Sequence, residues 1–139
     1  MSTTSITAGQ TGSAASVGIL VGRVLLSILF IFAGFGKLTA ISATAGWFGS
    51  IGLPVPTVTA VVVGLVELLG GLAILVGFQT RIAAIVVALF TLGATAIAHL
   101  DFSDAMQVLM LQKNLAIAGG LLILAIVGAG TLSVDGRRG

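Results

Sequence analysis

The 139-residue chain has no cysteine and a single histidine, and charged residues make up only 7% of it. Without cysteine there are no disulfides, no thiol redox chemistry, no thiolate metal sites and no iron–sulfur clusters, although the redox compartment stays open. With His99 as the one histidine, bis-histidine haem ligation within one chain is excluded. No metal site and no catalytic residue set is expected. The scarcity of charge is the most restrictive of these features, because soluble domains carry about 25% charged residues. Here 58% of residues are hydrophobic and the mean hydropathy is +1.25. That balance specifies an all-α integral membrane domain, since a spanning helix satisfies its own backbone in lipid. A net charge of +2 is too small to point to nucleic acid, and the basic residues read as topology markers.

What is present is a set of long apolar runs. The central one is Val55–Phe78, with one charge, Glu67, near its middle. About 20 apolar residues cross a bilayer core of roughly 30 Å, and a carboxylate at mid-depth costs at least ~2.5 kcal/mol. Glu67 therefore needs a partner, a proton or a function. Ala60, Gly64 and Gly71 share its helix face at steps of three and four, a surface another helix can approach closely.

The first span is expected over Val17–Leu38, after an uncharged, Ser/Thr/Gly-rich tail over 1–16 that reads as disordered. It lacks the basic segment of a signal peptide. Arg23, Ser27, Phe30, Gly34 and Lys37 form one stripe along this span. Arg23 either snorkels to the head groups or turns inward with that stripe. The connection 39–54 contains Trp47, an interfacial anchor, and a short amphipathic segment around Ser42–Ile51 lying on the membrane. The third span, Ile82–Leu100, follows the second almost at once, so the two are antiparallel neighbours. It carries Thr91, Thr95 and His99 on one face, where His99 is either a satisfied interfacial residue or a ligand-binding group. After a polar turn, Asp101–Asp104, with Ser103 as the expected N-cap, a fourth helix opens with Gln107, Gln112, Lys113 and Asn114 and ends at Gly128–Gly130. The membrane domain is thus 17–130, with a polar, basic tail over 131–139.

Four spans put both termini on one side. That side holds Arg23, Arg81, Arg137 and Arg138, against Lys37 and Lys113 on the other, which predicts cytoplasmic termini in a bacterial inner membrane. Arg23 lies ~9 Å into the first span from inside and Glu67 ~18 Å into the second from outside. An Arg23–Glu67 pair is then the cheapest way to hide both charges, either as a structural ion pair or beside a functional carboxylate such as a proton carrier. Lys37, His99, Lys113 and Asn114 gather in the outer half. Either each snorkels or caps separately, or they form one positively charged pocket suited to a carbonyl or an anion, such as a quinone head group or a small oxyanion.

The run Arg23-x3-Ser27-x2-Phe30-x2-Ala33-Gly34-x2-Lys37, then Gly52-Leu53-Pro54, Glu67-Leu-Leu-Gly70-Gly71, Gly77-x2-Thr80-Arg81-x-Ala83-Ala84, His99 and Lys113-Asn114-Leu115 with Gly119-Gly120 resembles the DoxX family. The resemblance covers Val17–Gly130. It implies a four-helix bundle in the bacterial inner membrane and a respiratory or redox setting. The family takes its name from a subunit linked with a terminal quinol oxidase. Related chains pair with thiosulfate:quinone oxidoreduction, other members associate with redox-stress proteins, and many have no assigned activity. Two functions are carried forward. One is a membrane subunit, not catalytic on its own, beside a quinone-linked redox enzyme, with quinone as its ligand. The other is a small-molecule or proton-coupled carrier that uses Glu67. Expected partners are the bilayer, redox enzyme subunits and a second copy of the chain.

Overall fold

The computed structural model describes residues 12–138 and is an all-α bundle. Its helices are α1 (Ser13–Thr39), α2 (Ile41–Ser50), α3 (Pro56–Val76), α4 (Thr80–Ala98), α5 (Ala105–Val127) and α6 (Val134–Arg138). Among the described residues, α1, α3, α4 and α5 are long and apolar enough to cross a membrane. Their large side chains face outward, Leu25, Phe32, Leu89, Ile123 and Ile126 among them, as lipid contact requires. The expected disordered segment over 1–16 lies outside the described residues up to position 11, and from Ser13 onward the chain is already helical.

The bundle is built from two helix pairs. α1 packs chiefly on α3, and α4 chiefly on α5. The α1–α3 seam is the stripe read from sequence. Ser16, Arg23, Ser27, Phe30 and Gly34 are the buried positions of α1, and Ala60, Gly64, Glu67, Gly71 and Ile74 those of α3. Glycine is required at the crossing: a Cβ on Gly34 would overlap Leu68 N and reach 2.6 Å from Gly64 O. Such close approach is how spanning helices gain dispersion contact when lipid supplies no hydrophobic drive. Phe30, Ile74, Ala84, Val87, Ala88, Leu121, Leu124 and Ala125 form a core linking the two pairs.

At the end of the bundle where α1 begins, called here the tail end, the residues after α5 fold back. Gly128 (φ 85°) turns the chain out of α5. Thr131 then bonds Ser16 (2.9 Å), and Asp135 N bonds Gly77 O (2.8 Å). The Asp135 carboxylate accepts from Gln79 N (2.8 Å) and Thr80 N (2.9 Å), so it caps α4 from 55 residues away. Burial pushes the Asp135 carboxyl up, but the Thr80 and Gln79 bonds and the Arg138 charge outweigh it and hold it below the ordinary carboxylate value. Arg81 donates to Ile126 O (2.7 Å) and Ala125 O (3.3 Å), placing a cation at the C-terminus of α5. The polar tail read from sequence is thus an ordered clamp with a short helix.

The connection after α1 forms α2, as the sequence predicts, with Phe48 buried and Trp47 half-exposed. At the α4–α5 turn the N-cap is Asp104, which accepts from Met106 N (2.9 Å), and not Ser103. Ser103 N and its hydroxyl both bond Asp101 Oδ1 instead. That local turn engages the shorter side chain before the helix begins.

Candidate functional site

The end of the bundle opposite the tail, where α2 and the α4–α5 turn lie, holds a cavity of about 460 Å³. It opens between the helix pairs, with α2 along its rim. Lys37, Glu67, His99, Lys113 and Asn114 all line it, together with Trp47, Phe48, Phe90 and Thr91. The four residues assigned from sequence to an outer polar pocket therefore face one space.

The structure does not pair Arg23 with Glu67. Lys37 Nζ lies 2.9 Å from Glu67 Oε2 and 3.2 Å from Oε1, which makes Lys37 the counter-ion. The depth estimate fails because it assumes that α1 and α3 end flush at the tail end. They do not: a Cβ on Gly77 would collide with the Arg23 guanidinium, so Arg23 is level with the end of α3. Gly77 is ten residues beyond Glu67, a separation of ~15 Å. The first ten residues of α1 overhang α3, and the folded-back tail packs on one face of them, at Ser16 and Ile19. Arg23 donates to Leu132 O there, while its Nε and Nη1 have no hydrogen-bond partner among the described residues. Lys37, by contrast, is one turn beyond Gly34, which meets α3 between Gly64 and Leu68. The Gly34–Gly64 crossing sets this register, and it is visible only once the two helices are packed.

The cavity has two unlike polar walls. On the α1–α3 side is the Lys37–Glu67 pair. Glu67 is 8% exposed overall, so its charge is compensated before it meets lipid-depth surroundings. On the α4–α5 side Thr91 and Thr95 return their hydroxyls to the carbonyls one turn earlier (2.8 and 2.7 Å). Thr95 Oγ1 also accepts from Asn114 Nδ2 (2.9 Å), which orients the amide. His99 follows one turn on as the residue closing α4, its backbone N–H bonded to Thr95 O (2.9 Å). Its Nδ1 is buried and has no hydrogen-bond partner among the described residues. Lys113 is exposed at the rim and has no carboxylate partner among the described residues. Between these walls the lining is aliphatic and aromatic. The arrangement suits a flat, largely apolar ring with oxygen atoms at its edges. The contribution of Glu67 to this cavity, and the aromatic rim from α2, are the features sequence reasoning missed.

The DoxX family model matches residues 18–100. The chain belongs to the DoxX family. Inner membrane protein YqjF of Escherichia coli (strain K12) is 45% identical over 119 residues, covering 86% of this chain and 90% of that protein. Inner membrane protein YphA of the same organism is 34% identical over 131 residues, 91% of this chain and 94% of that protein. CatD of Bacillus subtilis (strain 168), whose name provisionally assigns it as an oxidoreductase, is 38% identical over 78 residues, 56% of this chain and 57% of that protein. No solved structure matches this DoxX chain.

Proposed function

We propose that this DoxX protein is a multi-pass inner-membrane subunit of a quinone-linked redox system, and that its cavity holds the quinone head group. The observation that carries the reading is the pair of opposed polar walls in one apolar cavity. The Lys37–Glu67 pair faces one edge of a ring, and His99 with Asn114 faces the other. A quinone presents two carbonyl acceptors across an apolar ring, which is the pattern those walls complement. The inner-membrane names of two relatives and the oxidoreductase name of a third support the setting. The Lys/Arg count supports cytoplasmic termini, which would open the cavity toward the periplasmic side. The chain has no cysteine and one histidine, and in this reading it positions a quinone for a partner enzyme.

A carrier that uses Glu67 would need a path past that residue. On α3 the cavity lining runs through Thr59, Val63 and Glu67 and goes no deeper. Beyond Glu67 the α1–α3 seam closes, with Gly71 set against Phe30 and Ile31.

Trp47 is the only tryptophan and lines the cavity, so it reports on occupancy. Titrating a short-chain quinone into protein purified in lipid nanodiscs should quench Trp47 fluorescence saturably. His99→Leu and Lys37→Met should each weaken binding about ten-fold, the effect of losing one charge-assisted or desolvated hydrogen bond. Non-saturable quenching of the wild type would defeat the reading.

A further inference from the structure

We infer that the cavity prefers an acidic, hydroxy-substituted ring in its anionic form over a neutral ring of the same size. The inference rests on the reading that the cavity takes a ring head group. It adds the charge state of that head group.

The charge census of the cavity carries it. α1 contributes Lys37, α3 contributes Glu67, α4 contributes His99 and α5 contributes Lys113, while α2 has no charged residue. Asp101 and Asp104 on the adjoining turn do not line the cavity, and both carboxylates are engaged locally, with Ser103 and with Met106 N. Two ammonium groups therefore face one carboxylate, and Glu67 is taken up by Lys37 at 2.9 Å. Lys113 remains as a cation with no carboxylate partner among the described residues, exposed at the rim beside the apolar part of the lining. A cation is costly beside hydrocarbon unless a counter-ion or water satisfies it. A ring oxyanion supplies that counter-ion, and a neutral quinone supplies only a carbonyl dipole. On the cavity lining, His99 Nδ1 is a buried polar atom with no hydrogen-bond partner among the described residues, and it stands one turn beyond the Thr95–Asn114 bond. A ring with an oxyanion and a second oxygen meets both needs at once, with the oxyanion on Lys113 and the second oxygen toward His99. The apolar lining holds the ring and disfavours small inorganic anions, which lack any surface to bury.

The test compares para-naphthoquinone with lawsone, the same ring carrying an acidic hydroxyl that is ionised at neutral pH. Equilibrium dialysis against protein in nanodiscs of uncharged lipid gives both affinities without relying on quenching efficiency. Lawsone should bind about ten-fold tighter, the worth of one charge-assisted hydrogen bond. Lys113→Gln should narrow the ratio between the two rings, and Lys113→Arg, which keeps the charge, should retain it. Equal binding of the two rings by the wild type, tighter binding of the neutral ring, or an unchanged ratio in Lys113→Gln would overturn the inference and leave the quinone site standing. Binding of neither ring would overturn the proposed function, and this inference with it.

Discussion

Lys37 and Glu67 are two charges drawn largely away from water, a costly feature in a membrane helix bundle. Each would be expensive alone, and at 2.9 Å each cancels most of the other's penalty. Replacing Glu67 by Gln leaves Lys37 without its counter-ion, and Lys37→Met leaves the carboxylate. Either single change should destabilise the bundle by up to ~3 kcal/mol, the low end for an orphaned buried charge, because Lys37 keeps access to the cavity. The double variant should be closer to wild type than either single one. Unfolding in detergent, analysed as a double-mutant cycle, measures the coupling; strictly additive losses would mean that the pair does not act as a unit. That Glu67 needs a partner was legible from its depth alone. Which cation supplies it was not, because the choice between Arg23 and Lys37 depends on how far α1 overhangs α3. That overhang is set by the seam and by the tail, both of them non-local.

The α1–α3 seam is where helix-level sequence pattern and structure agree best. The spacing of Ala60, Gly64, Glu67 and Gly71 on one side, and of Arg23, Ser27, Phe30 and Gly34 on the other, marks the faces that bury. The seam also tests whether close approach, and not glycine flexibility, matters here. Gly34→Ala places a methyl group against the α3 backbone, which cannot swing away as a side chain would. It should cost about 1–3 kcal/mol through forced separation of the helices. Gly36→Ala lies in the same helix with open space around it and should be neutral or stabilising by about 0.5–1 kcal/mol, from helix propensity alone. Thermal unfolding of the two variants side by side separates these effects, and a Gly34→Ala protein as stable as Gly36→Ala would show that the seam is not tightly packed. The α4 face was equally readable, since Thr91, Thr95 and His99 repeat every turn. The aromatic edge that α2 lends the cavity was not, because a ten-residue helix with little charge carries no pattern saying which way it folds.

At the scale of the whole molecule, the four spans and their antiparallel order follow from run lengths and short connections, which are local properties. The clamp at the tail end does not. Residues 131–138 have no hydrophobic period, and what orders them is the distant α3–α4 turn, whose free amides Asp135 accepts, together with Ser16 of the overhanging α1. This clamp fixes the carboxyl-terminal tail to the same end of the bundle as the start of α1. An even number of spans requires the same, so orientation reduces to one question of sign. The tail end carries Arg81, Arg137 and Arg138, with Arg23 level with the end of α3, whereas the cavity end carries Lys37 and Lys113. Lys37 is neutralised by Glu67, and Asp101 and Asp104 add opposite charge beside the α4–α5 turn, although acidic residues weigh little in the rule. The basic tail end should therefore remain in the cytoplasm. A reporter fused at Gly139 should read cytoplasmic, and a sandwich insertion at Ser103, on the exposed α4–α5 turn, should read periplasmic. The reverse pattern would invert the protein and open the cavity to the cytoplasm, and the same compartment at both positions would refute four spans.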